Sequence, residues 1–594
     1  MQRILSLFLV LIIAVPMFAQ KADKSNVEAR RKQLNDLLAE QWEYTLETSP
    51  EFATIIGDKR FNDKLSDFSQ TQIDRDLAKS KYFLDKFNAV DTTGFPEQEQ
   101  LNKTLMVRNL KEQLDNAKFK EWEMPVNQMS GVHLDMPQLV ALLPFDSAKD
   151  YEDYVSRLKA LPKLMDENII QMRKGMAEGL MPPKFLLEKV VGQADDIGTK
   201  PVEDSPFAVP VKKFPAAISA DDQTRLKGEV LAAIKDSVDP AYAKFAKFVR
   251  DEYAPKGRTE PGLWSLPDGD ARYAAAVKRS TTTNMTPEEV HQLGLKQVAE
   301  IEGKMMVIAK QLGYNDLKTL NAAIDKDPKL HGTSRQQILD EYRHYIDQMW
   351  AKLPTLFYRL PKAKLEVMPI EEFAEKTDAT HYNQGTPDGS RPGHVMVQTG
   401  EWEKRLLITD ESTAYHEGVP GHHMQISIAQ ELPTLPPFRQ QGGYTAYQEG
   451  WALYSERLGK EIGFYQNPYS DYGRLQDEML RAIRLVVDSG FHYKRWTRQQ
   501  VVDYFHAHSN TAEPEVQSET DRYIVWPGQA LGYKVGQLTI LKLRDDAQKA
   551  LGAKFDLRAF HDEVLGAGAL PMDVLSDRIH AWIKQQKAGT TAAD

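Results

Sequence analysis

Three of the fourteen histidines fall in one short stretch, His416-Glu417-Gly418-Val419-Pro420-Gly421-His422-His423. A lone buried histidine usually serves packing, whereas three beside a glutamate form a metal-ligand pattern. The related arrangement His-Glu-x-x-His places two imidazoles at i and i+4 on one helix face, with the glutamate as general base toward a metal-activated water. Here position i+4 is Pro420. On a straight helix His423 would share the direction of His416 within about 20° but lie about 10.5 Å along the axis, and His422 would point about 120° away. Pro420 cannot donate to the carbonyl of His416, so the helix is interrupted here in any case. A two-residue bulge at Pro420-Gly421 returns His422 to the place that i+4 normally holds. The expected ligands are therefore His416 and His422, with His423 as second choice or as a group beside the bound substrate. Glu417 is the expected base.

A third ligand has to come from another element. The stretch Tyr447-Gln448-Glu449-Gly450-Trp451-Ala452-Leu453-Tyr454-Ser455-Glu456 reads as a helix among apolar and aromatic neighbours. Glu449 and Glu456 compete for the role, seven apart and so on one face about two turns from each other. Glu449 is preferred because it lies nearer the preceding loop. Cysteine is absent, which excludes thiolate metal sites, thiol nucleophiles and disulfides together. Two histidines and one glutamate leave the fourth coordination position open, as in a catalytic zinc centre, and one zinc ion per chain is expected.

These residues need helices to hold them. Apolar positions recur at three and four spacings through Ser25–Phe119, Tyr151–Met172, Thr224–Phe248 and Pro287–Leu312, the period of amphipathic helix. Thr286-Pro287-Glu288-Glu289 and Ser334-Arg335-Gln336-Gln337 carry helix-start chemistry. Lys364–Met368 and His394–Thr399 instead alternate or are β-branched, and turn residues fill Asn383–Gly393. This predicts a small antiparallel sheet inserted in a mainly α protein. Helices resume after Asp410, and the tail Gly589–Asp594 reads as disordered. The Pro/Gly-rich stretches 200–216 and 254–271 read as linkers or surface loops. An N-terminal helical region, 20–270, and a metal-binding catalytic region, 271–594, follow as the expected organisation, as separate domains or as two lobes of one.

The chain has 594 residues, with 75 basic against 85 acidic side chains and a formal charge of −10. That balance, without a basic block, argues against nucleic acid as a partner. Met1-Gln2-Arg3 followed by the apolar run Ile4–Phe18 has the layout of a secretory signal peptide over residues 1–19, with cleavage after Ala19 or Ala22. The run is short for a membrane span. The mature chain is expected to be exported, periplasmic or secreted, and free of the membrane once the signal is removed.

His416–Gln425, then Glu449-Gly450-Trp451-Ala452, resemble the signature of the bacterial family known as domain of unknown function 885. Val487–Trp496, Arg522-Tyr523, Pro527–Gly536, Gly389–Gly393 and Met172–Met176 extend the resemblance over most of the chain. That family is grouped with helical zinc metallopeptidases whose third ligand is glutamate. The resemblance implies a helical metallopeptidase-like fold with a deep cleft, the His416 and Glu449 helices as its floor and a strand near His394 on its flank. It also implies Glu417 as general base.

The expected activity is hydrolysis of a peptide substrate by a metal-activated water. Its oxyanion needs a donor besides the metal. Tyr533, after the loop-like Trp526-Pro527-Gly528, is the first candidate and His492 the second, with Asp488 one turn earlier to orient that ring. Arg391, Arg522 and Lys534 are expected to bind substrate, and Arg in particular suits a carboxylate such as a peptide C-terminus, which adds an exopeptidase expectation. Two alternatives stand beside this reading: a zinc hydrolase of another amide or ester, and a non-catalytic exported binding protein that retains the metal site.

Overall fold

Thr286 accepts the backbone N–H of Glu289 at 3.2 Å while the Glu289 carboxylate accepts that of Thr286 at 2.8 Å, so the expected capping box opens the helix Pro287–Gln311. Ser334 caps Arg335–Trp350 through the N–H of Gln337. The computed structural model describes residues 15–370, 375, 379–386, 389 and 391–589, with side chains from residue 26 onward. Most of the expected signal segment, and the tail beyond Gly589, lie outside the described residues.

The chain divides into two compact units, Met1–Lys120 and Glu121–Asp594. In the first, the helices Val15–Thr48, Gln70–Ala89 and Glu97–Asn116 bury Leu34, Leu38, Phe83, Phe87 and Leu105 at the spacing that puts apolar groups on one helix face.

The division falls at Lys120. Residues 121–270 are bonded to later helices: the Gln128 amide donates to the carbonyl of Asp521, Lys189 pairs with Asp521, and the N–H of Leu263 donates to His492. The Pro/Gly-rich stretches are packed loops. Phe207 and Pro210 receive the hydroxyls of Tyr154 and Tyr151 through their carbonyls, and Arg258 donates to the carbonyl of Met181.

In the second unit the elements that build the site are α1 (Gly269–Thr281), α2 (Pro287–Gln311) and α3 (Arg335–Trp350). The strands β1 (Leu365–Pro369), β2 (His381–Asn383) and β3 (Gly393–Val397) follow. Then come α4 (Asp410–Glu417), α5 (His422–Gln430), α6 (Thr445–Glu461), α7 (Pro468–His492), α8 (Glu513–Val525) and α9 (Leu531–Leu551). One core joins Val298, Ile301 and Met305 of α2 to Ile483, Val486 and Val487 of α7 and to Val516 and Ile524 of α8. A second joins Tyr273 and Val277 of α1 to Leu485, Leu531 and Val535. Each such aliphatic side chain contributes about 1.5–3 kcal/mol on burial. Together they hold α7 as a fixed spine beside the site.

The sheet is mixed, in the order β1-β3-β2, and not antiparallel throughout. β2 pairs antiparallel with β3, with Asn383 opposite His394. That takes one edge of β3, so β1 pairs with the other, where it runs parallel with Leu365 opposite Gly393. β2 has only three residues, too few for a period-2 pattern to announce.

Candidate metal centre

The last turn of α4 closes with the N–H of Gly418 on the carbonyl of Ala414, and α5 begins at His422. Between them the chain bulges, with a cis peptide at Val419–Pro420. A Cβ on Gly421 would collide with the carbonyl oxygen of His416, so only glycine lets the bulge fold this tightly. The carbonyl of Pro420 accepts Trp451 Nε1–H at 2.7 Å and the Ser455 hydroxyl at 3.2 Å, both from α6. The bulge is thereby tied to the helix that carries Glu449. The rings of His416 and His422 end up nearly perpendicular, 4.9 Å apart between centroids.

One ligand atom from each of His416, Glu417 and His422 lies within 4.8 Å of the others. Glu449 Oε2 is 3.6 Å from His416 Nε2 and 3.3 Å from His422 Nε2. On the far side of His416, Glu456 Oε1 is 2.7 Å from Nδ1. The two competing carboxylates of α6 thus take different atoms: Glu449 faces the Nε2 atoms of both rings, and Glu456 holds the remaining nitrogen of His416. A carboxylate on Nδ1 fixes ring orientation and directs the Nε2 lone pair outward, the usual support of a metal-ligating histidine. His422 Nδ1 lies 3.0 Å from Gln425 Nε2, which also donates to the carbonyl of Gln448. Gln425 Oε1 is buried without a partner. Turning that amide end for end, at the expense of the Gln448 bond, presents the oxygen to Nδ1–H and matches the tautomer that frees Nε2 for a cation.

Electrostatics agree with a site for positive charge. Burial by itself would lower the His416 imidazolium, but Glu449 and Glu456 outweigh it and hold the pKa up at about 10. Burial would likewise raise Glu449, but the two histidines bring it well below the carboxylate range. Glu456 is raised by its burial.

α6 and α9 touch where a Cβ on Gly450 would strike the backbone of Gly536. This close approach brings Tyr533, one turn before Gly536, against the centre. Its ring stacks on His416 at 6.4 Å and 19°. Its hydroxyl makes no hydrogen bond among the described residues, and burial raises its pKa. The guanidinium groups of Arg484 and Arg481, from α7, lie 4.8 and 6.0 Å from the Tyr533 ring centroid. These two arginines escaped the sequence reading. The available signal was a stripe of charges at three and four spacings, Asp477, Arg481, Arg484 and Asp488, along one face of the helix.

Other candidates are engaged elsewhere. His423 is fully buried, with Nδ1 3.1 Å from the Tyr382 hydroxyl and Nε2 3.2 Å from the carbonyl of Ala363. It pins the sheet to α5, and burial pushes its pKa down to about 4. His492 accepts the N–H of Leu263 at Nδ1 and donates from Nε2 to the carbonyl of Tyr523, leaving no nitrogen for a substrate. Asp488 does not orient it. That carboxylate accepts the Tyr273 hydroxyl at 2.7 Å and the N–H of Gly528 at 2.9 Å. Lys534 is sealed in an ion pair with Glu478 at 2.6 Å, with Gln537 as second partner, and is closed to substrate. Arg522 donates to Glu519 at 2.9 Å and to Gln529 at 2.7 Å. Arg391 is exposed and donates to the carbonyl of Gln384. A cavity of about 620 Å³ lined by Arg258, Arg272, Trp526 and Gln529, among others, includes none of the clustered histidines and glutamates in its wall.

Fold and site define a mainly α-helical chain with a histidine–glutamate cluster spaced to hold a metal ion. It belongs to the family described as bacterial protein of unknown function (DUF885), whose profile matches residues 50–579. A solved structure of a candidate lipoprotein from Colwellia psychrerythraea superposes with a TM-score of 0.89 at 30% identity, covering 94% of this chain and 100% of that one. A candidate lipoprotein of unknown function from Shewanella oneidensis shares the fold, with a TM-score of 0.71 at 18% identity over 92% of this chain and 99% of that one. No curated protein matches the chain.

Proposed function

We propose that the protein is a zinc-dependent metallopeptidase. The observation that carries this reading is the cluster itself: His416, Glu417 and His422 within 4.8 Å, with a Glu449 oxygen 3.3 and 3.6 Å from the two Nε2 atoms. In this reading His416, His422 and Glu449 hold the ion, and Glu456 orients His416 through Nδ1. Zinc in such a site supplies Lewis acidity toward a carbonyl oxygen and acidifies water. Glu417 takes the proton of the attacking water and passes it to the leaving amine. The unengaged hydroxyl of Tyr533 donates to the oxyanion as it forms. The helices α4, α5 and α6 form the floor of the substrate cleft, with β3 on its flank.

The Glu417 carboxylate favours hydrolysis over a purely structural ion, since a structural site needs no base beside its first ligand. The Colwellia protein is a candidate lipoprotein, which supports an exported or envelope location. The signal-like start Met1–Ala19 agrees with export to the periplasm or outside the cell. No helix among the described residues is long and apolar enough to cross a membrane.

Metal analysis of the purified protein with a mixed peptide library read by mass spectrometry tests the proposal. About one zinc per chain is expected, lost in Glu449→Ala and kept in Glu417→Gln, with cleavage lost in both. A zinc-loaded wild type that cleaves nothing, or unchanged cleavage in Glu417→Gln, overturns it.

A further inference from the structure

Resting on the peptidase reading, we infer that Arg481 and Arg484 form a subsite beside the metal centre for the free carboxylate at the C-terminus of the substrate. Arg481 and Arg484 lie against the Tyr533 ring, and Arg522 is joined to Arg484 through Glu519. The carboxylates bonded to them are only two: Asp477 with Arg481 at 3.1 Å, and Glu519 with both Arg484 and Arg522 at 2.9 Å. Glu515 stands near the cluster and hydrogen-bonds none of the three. The guanidinium groups therefore outnumber their bonded partners, and two are largely withdrawn from water, with side chains 7% exposed for Arg484 and 16% for Arg481. Glu456 and Glu515 offset part of this charge through space, but a guanidinium N–H withdrawn from water without an acceptor is costly until an incoming anion meets it.

Donors remain for that anion. Arg484 uses Nε and Nη2 on Glu519, and Arg481 uses Nη1 on Asp477. Arg484 Nη1 and Arg481 Nη2 have no acceptor among the described residues, and neither is sealed in the interior. Both groups lie against the Tyr533 ring, 6.0 and 4.8 Å from its centroid, and its hydroxyl is also unengaged among the described residues. Guanidinium N–H groups against a carboxylate give short, charge-assisted bonds.

The placement sets a length. Arg484 lies 4.8 Å from the Tyr533 centroid, and that centroid 6.4 Å from the His416 ring, so the guanidinium is at most about 11 Å from the ligand ring. Extended peptide spans about 3.3–3.6 Å per residue. A carboxylate held here thus sits about one to three residues beyond the scissile bond, which makes the enzyme one that trims short pieces from free C-termini.

Binding to zinc-loaded Glu417→Gln protein, measured by calorimetry, tests this without requiring turnover. Three matched pentapeptides are compared: a free acid, its C-terminal amide, and an amide carrying aspartate as the last residue. The free acid is expected to bind about tenfold tighter than the amide or more. Adding Arg481→Gln should erase that preference, while zinc content and amide affinity, which report an intact fold, stay unchanged. Arg481→Lys should restore part of it. Tight binding of the aspartyl amide alone would overturn the assignment to a C-terminal carboxylate. Equal affinity for acid and amide, or a preference that survives in Arg481→Gln, overturns the subsite. A preference that depends on Arg481 in a protein whose wild type cleaves no peptide leaves the subsite standing and removes the peptidase reading instead.

Discussion

His416 and His492 are almost equally hidden from water, 3% and 0% exposed, yet their surroundings make opposite use of the same ring. Carboxylates surround His416, and its pKa is held at about 10 against the effect of burial. His492 hydrogen-bonds only to backbone groups, and burial pushes it down to about 3. His561 follows His492: the carbonyl of Leu356 and the hydroxyl of Tyr454 take its two nitrogens, and burial lowers it to about 3. The partners, not the degree of burial, decide whether a hidden imidazole is drawn toward its charged form or held as a neutral strut.

Five experiments sharpen or break that contrast. The largest effect is expected from Glu417→Gln, which should lower kcat by about 10³-fold with zinc retained; near-normal turnover would break the assignment of the base. Next, Tyr533→Phe should lower kcat by about 10²-fold with little change in KM. His492→Gln should leave kcat within about threefold while lowering Tm, because it removes only backbone contacts. If the two variants lose turnover equally, the distinction between site and strut fails.

Glu456→Gln is expected to weaken zinc binding by about 10–100-fold in chelator competition, through loss of the charge that orients His416. The smallest effect concerns stability. The folded pKa values of His492 and His561 lie below the 6.5 of the unfolded chain. Their contribution is therefore fully present above pH 6.5 and is lost as pH falls toward about 3. Within that window each group costs about 1.4 kcal/mol per pH unit. Denaturant unfolding at pH 7, 6 and 5 should show that slope, shallower in His492→Gln; an unchanged slope would mean that this ring is not held neutral.

Short-range chemistry was legible in the residues. Proline at position 420 forbids a continuous helix, and the chain does break between Glu417 and His422. Thr286 and Glu289 announce their capping box by spacing alone. Long-range partners were not. Lys534 reads as an available cation until Glu478, from another helix, closes over it. Asp488 has the helical spacing to orient His492 but turns to Tyr273 and Gly528 instead. Arg481 and Arg484 acquire meaning only because α9 brings Tyr533 beneath them.

By itself, the order of residues determined the helical periods, the interruption at Pro420, the restriction of any metal to nitrogen and oxygen ligands, and family membership over residues 50–579. Those depend on neighbours within a turn or two, or on residue type alone. Tertiary structure decided which carboxylate faces which ring nitrogen, which histidine is a strut, and how β1 pairs. Each of those turns on a contact between distant segments, and the packing of α6 against α9 at Gly450 and Gly536 selects among possibilities that local spacing leaves equal.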